Sequence, residues 1–336
     1  MEVFLTLYDE IAGFLRISQA WEILKAGDYS AFTTSDGIRA FIRPVIPLLI
    51  IFEFILGLIN KKPGLKVYKI TFLIYVFNRF IGRFIALGMV TLCIGLFQKY
   101  ALFQTEMTWY WFIYSYIAWE FGHFIYHFLG HKVRLFWCLH STHHAPESMN
   151  LSVTHAHFFL EAPYADTIRT TVCILLGLQP EMLFLIMFID GTYGAFIHVG
   201  ENVIKEGRFG FFHRIMLTPS HHRVHHARNP LYIDTNFCNL LNIWDRVFKT
   251  YQEQQPEVEI DYGINRKMDS GNFFDVYFGE FVALAKTVFS APGLTNKFLY
   301  LLMPPGWHHS GEHRTASVVR GNYLNELATQ ESKGSE

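Results

Sequence analysis

The sequence predicts an all-α fold, a polytopic helical bundle set in a membrane, on three observations. Hydrophobic residues make up 51% of the 336-residue chain and charged residues only 17%, against the roughly one quarter usual for soluble domains. Several apolar runs approach the length of a bilayer crossing, which takes about 20 helical residues. Of 17 histidines, 14 lie between His123 and His226, and they recur at intervals of three and four that a helix gathers on one face.

Each element follows in order. Residues 1–43 read as an N-terminal segment whose first 30 residues form an amphipathic helix through Val3, Phe4, Leu7, Ile11, Phe14 and Leu15. Glu2, Asp9 and Glu10 interrupt that stretch and argue against a cleaved signal peptide. A first span covers residues 44–59 and is followed by Lys61, Lys62, Lys66 and Lys69. A second covers 70–97, with Asn78, Arg79 and Arg83 turned to protein or to the interface. The third, 109–128, carries Trp109, Trp111 and Trp119 and delivers the first histidines at its end. Residues 170–199 are broken by Gln179-Pro180-Glu181, the mark of a helical hairpin that enters the membrane and returns.

The lysine loop after the first span places that side in the cytoplasm, and the third span brings Lys132 and Arg134 back to it. The hairpin returns to the side it left, so every histidine cluster faces the cytoplasm. Residues 44–252 thus make one transmembrane domain. Beyond it, 253–336 read as C-terminal interfacial helices and a tail: 273–303 is apolar but interrupted by Glu280, Lys286, Pro292 and Lys297, and the last dozen residues read as disordered.

Composition also excludes. A net charge of -1 without a basic stripe argues against nucleic acid. Cys93, Cys138, Cys173 and Cys238 form no CxxC pair and read as packing residues. Neither a GxGxxG dinucleotide motif nor a CxxCH haem attachment is present.

The histidines form three boxes: His127-Phe-Leu-Gly-His131, His140-Ser-Thr-His143-His144 and His222-Arg-Val-His225-His226. At about one histidine in 20 residues, an HxxHH match arises by chance roughly once in 8,000 windows, so two copies need a cause. Thr218-Pro219-Ser220 supplies a capping hydroxyl and a first-turn proline for a helix under the third box, and Asn229-Pro230 ends it. Imidazole suits iron, zinc and copper. A mononuclear catalytic zinc takes three protein ligands, and no histidine here is followed by Glu, so the HExxH protease helix is absent. Eight box histidines exceed the needs of one ion and suffice for two. The reading is a cytoplasmic histidine-box di-metal site. A pair of histidine-bound irons with open positions can use dioxygen to oxidise an unactivated C–H bond, and a membrane gives it lipid chains.

Three stretches resemble the fatty acid hydroxylase superfamily of membrane di-iron enzymes, which includes sterol desaturases and hydroxylases: Glu120 to His131, Leu135 to Asn150, and Thr218 to His226. With Arg228-Asn229-Pro230, Ile233-Asp234, Asn236 and Ile243 to Phe248, the likeness is greatest to the alkylglycerol monooxygenase branch and its bacterial relatives, over about residues 115–252. The resemblance implies His127, His131, His140, His143, His144, His222, His225 and His226 as iron ligands, with His198 as a further one. His140, His144, His222 and His226 are the residues on which catalysis would depend. Relatives usually have Asp at the position of Glu120 and Arg at that of Phe128, and the alkylglycerol branch an acidic residue at that of Lys132.

Several histidines stay open. His123 and His221 neighbour the boxes as ligands or as supports; His157, with His155 before it, follows the second box. His213, His308, His309 and His313 read as surface or interfacial residues. Asp234, Asn236 and Asp245 are either acceptors for a ligand's second N–H or turn and cap residues.

The expected function is oxygenation of a lipid C–H bond with O2, two iron ions and electrons from an unidentified donor, zinc being able to replace iron in purified protein. If the ether-lipid likeness holds, the reaction cleaves an ether lipid. Within the class, a lipid or sterol desaturase and a hydroxylase of fatty acyl or ornithine-lipid chains are alternatives. Outside it stand a zinc-dependent membrane hydrolase, distinguished by one zinc and activity without oxygen, and a metal transporter, which would hold its ligands near the bilayer midplane.

Overall fold

The computed structural model describes residues 12–13, 17–27, 30, 35–60, 65–78 and 82–334. Among them the regular elements are helices, joined by two isolated β-bridges. The chain divides into two compact units, Met1–Lys62 and Pro63–Glu336.

The first unit holds α1 (Ile17–Ala26), α2 (Ser35–Ile42) and α3 (Val45–Asn60). Val3, Phe4, Leu7, Ile11, Phe14 and Leu15 of the expected amphipathic helix lie outside the described residues. The run Ala40–Asn60 is long and apolar enough to cross a membrane. Phe52, Ile55, Leu58 and Ile59 on it are exposed, as lipid-facing side chains would be.

In the second unit the expected second span is two helices, α4 (Leu65–Asn78) and α5 (Gly82–Phe97). Arg79 and the Arg83 side chain fall outside the described residues, but Asn78 supplies a reason for the break. Its amide donates to the His157 carbonyl at 2.6 Å and accepts from the Tyr277 hydroxyl at 2.5 Å, so a polar group in an apolar run is satisfied by protein. Ile70 and Ile74 of α4 are buried with Phe158 and Tyr277. By contrast, Phe84, Leu87, Leu92 and Leu96 of α5 point outward.

The third expected span is α6 (Trp109–Lys132), 24 residues and therefore about 36 Å long. Its first turns expose Trp109, Tyr110 and Ile113, while its last half is buried. Val133 breaks the helix in extended conformation, and α7 (Arg134–His144) follows. The hairpin is α8 (Glu161–Leu175) and α9 (Pro180–Phe196), its first arm beginning at Glu161 rather than Thr170. Pro180 opens α9, where its missing N–H costs nothing. Gly177 in the turn has φ 89° and a Cβ there would stand 2.7 Å from the Phe103 carbonyl oxygen, so no other residue fits. Helices α5, α6 and α8 pack side by side around Trp119, Cys173, Ile174, Leu183 and Ile186.

After α8 and α9 come α10 (Pro219–His225) and α11 (Ile243–Val247), whose Trp244 indole N–H donates to the Ile117 carbonyl of α6 at 3.1 Å. The C-terminal region is helical: α12 (Phe273–Ser290), α13 (Gly293–Leu302) and α14 (Ala316–Gly334). Helix α12 packs on α7 and α4; its buried Glu280 is ion-paired with Arg134 at 2.8 Å and accepts from Arg266 at 3.0 Å. The last residues were expected to be disordered, yet α14 runs to Gly334. It is held by Arg320, which donates to the Leu231 carbonyl and to Gln252 Oε1, and by Tyr323 against the cluster of Val224 and Tyr232. A polar tail lacks the apolar area to order itself, but anchors elsewhere in the fold supply it.

Candidate metal centre

Four structural elements converge on one point. The last turns of α6 bring His127 and His131, and the break at Val133 turns the chain so that α7 brings His140, His143 and His144. His198 stands just past α9, and α10 with its C-terminal residue brings His222, His225 and His226. All nine side chains are buried. They fall into two groups whose nitrogens lie within 4.8 Å of one another: His127, His131, His140, His144 and His225, and His143, His198, His222 and His226.

Each HxxHH box divides between the groups, and the two boxes divide in opposite senses. From α7 the i,i+4 pair His140 and His144 enters the first group and the middle His143 the second. From α10 the pair His222 and His226 enters the second and the middle His225 the first. On a helix i and i+4 lie only about 40° apart, while i+3 and i+4 differ by about 100°, and that makes the division possible. The groups adjoin, with the His144 and His226 rings stacked 4.4 Å apart.

The outer nitrogens settle the tautomers in the first group. His127 Nδ1–H donates to the Phe237 carbonyl and His225 Nδ1–H to the Thr235 carbonyl, both at 2.8 Å. His140 Nδ1–H donates to Glu161 at 2.5 Å and His131 Nδ1–H to Asp234 at 3.2 Å. Neutral imidazoles that donate from Nδ1 present bare lone pairs at Nε2. Yet His127 Nε2 and His140 Nε2 are 3.0 Å apart, and His140 Nε2 and His144 Nε2 3.1 Å. With both Nδ1 atoms bonded outward, a cation between the first two would hold their Nε2 atoms together. His131 Nε2, His225 Nε2 and His226 Nε2 are buried without a hydrogen-bond partner. In the second group His198 donates from Nδ1 to the Gly194 carbonyl at 2.7 Å, and its Nε2 lies 3.2 Å from His143 Nε2 and 2.9 Å from His222 Nε2. The donor set fits two metal ions.

Burial, then the neighbouring imidazoles, hold His143, His144, His222 and His226 well below the ordinary histidine range. Burial lowers His131 to about 4 against the opposing pull of Asp234. At neutral pH these are unprotonated, the form a metal binds.

Local backbone serves the same end. Asp234 and Asn236 both adopt φ 58°, a left-handed conformation that Asp and Asn tolerate better than most residues. They flank Thr235 and precede Phe237, whose carbonyls receive His225 and His127. Asp234 also receives the Lys132 ammonium at 2.5 Å. Of the three polar residues expected either to orient imidazoles or to build turns, only Asp234 touches a ligand candidate. Asn236 bonds the His221 and Gln252 backbone, and Asp245 accepts from the Phe237 and Cys238 N–H groups and the Thr250 hydroxyl.

The remaining histidines separate as well. His221 is a cap: its Nδ1 accepts from the Thr218 N–H at 3.1 Å and its Nε2 donates to the Tyr251 hydroxyl at 2.8 Å, leaving no lone pair for an ion. Its neighbour His213, expected at the surface or interface, is instead buried and bonds the Thr218 hydroxyl at 3.0 Å; with His221 and exposed Glu253 it forms a third cluster. His123 lies outside both groups, 3.7 Å from Asp190. His157 stacks on His143 at 4.2 Å and donates to Glu161 at 2.8 Å, while His155 lies against Tyr75. His308, His309 and His313 are exposed.

Sequence reasoning missed Glu161, which bonds both His140 and His157. Burial alone would raise its carboxyl, but His157 and His140 outweigh that and hold it at about 2. The i,i+4 spacing from His157 to Glu161 was the available signal. Glu120, one methylene longer than the usual Asp, accepts the N–H groups of Asn239, Leu240 and Leu241 at 2.7 to 3.0 Å and ties that loop to α6.

Fold and site together define a helical protein with paired, buried histidine groups, a donor set suited to two metals. Residues 112–250 of the chain match the model of the fatty acid hydroxylase family. It is 28% identical to the alkylglycerol monooxygenase of Homo sapiens over 286 residues, 83% of this chain and 62% of the human one. It is 29% identical to the alkylglycerol monooxygenase of Xenopus tropicalis over 216 residues, 64% and 46% of the two chains. The match to ornithine lipid hydroxylase OlsE of Rhizobium tropici is 28% over 152 residues, 45% of each chain. The chain therefore spans less than two thirds of the length of either vertebrate relative. No solved structure matches.

Proposed function

We propose that the chain is a multi-pass membrane monooxygenase that inserts one oxygen atom into a lipid C–H bond, with an alkylglycerol ether as its substrate. The observation that carries this reading is the pair of histidine groups, because His127, His140 and His198 have their protons committed outward and their Nε2 lone pairs turned inward. The likeness to two alkylglycerol monooxygenases supports the substrate.

The two metals are iron in the active form, since imidazole suits it, though zinc competes well for such sites. Two irons at these groups supply the redox chemistry that activates dioxygen. His127, His131, His140, His144 and His225 would hold one ion, and His143, His198, His222 and His226 the other. Glu161 and Asp234 fix His140 and His131 in the ligating tautomer. The buried setting of these histidines would keep bulk water from the reaction. In the overall balance one oxygen atom enters the C–H bond, and the other leaves as water with two electrons and two protons from an external donor. At the carbon beside an ether oxygen the product is a hemiacetal, which breaks to an aldehyde and a free alcohol.

Lipid mass spectrometry of a host with and without the chain tests the reading. A loss of alkylglycerols with matching aldehydes is expected; a product lighter by two hydrogens would make the enzyme a desaturase instead. Purified active protein should hold two metals per chain, and one or none would sink the di-iron reading. The orientation proposed puts the histidine groups on the cytoplasmic side. All four native cysteines are buried, so single cysteines at exposed Lys66, Lys205 and Asp269 should resist an impermeant reagent added to intact cells. Labelling at any of the three would overturn that orientation.

A further inference from the structure

A cavity of about 290 Å³ lies directly against the first histidine group, with His131, His144 and His225 in its wall. The His131 and His225 side chains of that wall are more than nine-tenths buried, and their Nε2 atoms belong to the donor set of the first group. Five cationic side chains line the rest: Lys132, Arg134, Arg228, Arg266 and Arg314. The wall's carboxylates are Asp234 and Glu280. Two further acids pair with these cations from outside the wall, Asp261 with Arg228 and Asp275 with Arg266, and both are partly open to solvent. Arg314 has no carboxylate partner among the described residues. Thr315, Ala316 and Ser317 at the start of α14 also line the cavity, and the first N–H groups of a helix have no partner within it. They add a partial positive charge to the same space.

We propose that this cavity binds an anionic group, phosphate or carboxylate, on the head of the substrate lipid. The placement rests on the oxygenase reading above and deepens it. An anion held among these guanidinium groups leaves only a glycerol's length between itself and an ether carbon, so the head group anchors in the cavity while the ether carbon reaches the adjoining histidine group. Arginine suits the task, because its planar fork matches phosphate and carboxylate with two parallel hydrogen bonds. Lys132, where the alkylglycerol branch tends to carry an acidic residue, adds a cation to this wall.

The test measures binding, so that it does not depend on turnover. Native mass spectrometry of the metal-loaded full chain, released from a neutral detergent, would compare 1-O-alkyl-glycerol 3-phosphate with the uncharged 1-O-alkyl-glycerol. Wild type should hold the phosphorylated lipid at least about tenfold more tightly. Arg314→Glu, a change at an exposed side chain, should erase most of that preference, and Arg228→Gln should weaken it. Lys286→Glu, an equal charge change on the exposed face of α12, should shift it by no more than about twofold. Equal retention of the two lipids by wild type would overturn the proposal, as would equal behaviour of Arg314→Glu and Lys286→Glu. If glycerol 3-phosphate without an alkyl chain binds as tightly as the lipid, the occupant is a soluble anion and the lipid assignment falls. A chain that shows the binding preference but oxidises no lipid would instead refute the oxygenase reading and leave the anion site standing.

Discussion

The two histidine groups sit side by side on the same helices, yet they are supported differently. In the first group four of five imidazoles are pinned through Nδ1: two by carboxylates, Glu161 and Asp234, and two by carbonyls of the strained 234–237 turn. In the second, the bond from His198 to Gly194 is the one such anchor among the described contacts, and His143 Nδ1 is buried without a partner. A carboxylate behind an imidazole fixes the ring and makes it a stronger donor. The first group is therefore the more preorganised, and the cavity with its cationic wall opens onto that group. The second leans on stacking of His157 against His143, a contact that orients without pulling on a proton.

The largest effect should come from removing ligands. His140→Ala and His222→Ala each take away an imidazole that no neighbour replaces, and oxygen-dependent lipid turnover at matched expression should fall to background in both. Retention of more than about a tenth of the activity, a loss under 1.4 kcal/mol in the barrier, would show that the groups are not the catalytic centre. Elemental analysis sharpens the comparison: each variant should keep one metal, and a variant that keeps none would mean the groups load as a unit.

A smaller effect is expected one layer out. Glu161→Gln and Asp234→Asn keep the shape but lose the charge behind His140 and His131, and should lower metal affinity and activity by about 10- to 100-fold. Competition with a graded chelator should show the loss in one of the two bound ions. Equal weakening of both would erase the distinction between the groups.

The smallest effect belongs to histidines outside the groups. His221→Ala removes the side chain that caps α10 and should cost about 1 kcal/mol of stability, read as a lower melting temperature, with two metals retained. His308→Ala and His309→Ala should keep most of the activity, because both are exposed and lie in the loop after α13. Loss of a metal from the His221 variant would return that residue to the ligand set.

The sequence by itself determined the helical class, the hairpin at Pro180, the cap at Thr218 and the eight box histidines that converge, His198 following only from the family resemblance. Those features are local: periodicity, a missing N–H and a capping hydroxyl act within a few residues. The crossed division of the two HxxHH boxes could not be read that way, because intervals of three and four place all three imidazoles near one face, and only the angle between α7 and α10 assigns each to its group. Glu161, the turn carbonyls at Thr235 and Phe237, the docking of α4 and the helix at the C-terminus were likewise decided by tertiary structure. Each depends on a partner distant in the chain, such as Asn78 with Tyr277 or Arg320 with Leu231. A hydrogen bond across such a separation forms only after packing has brought its two ends together, so nothing near either residue in the sequence marks it.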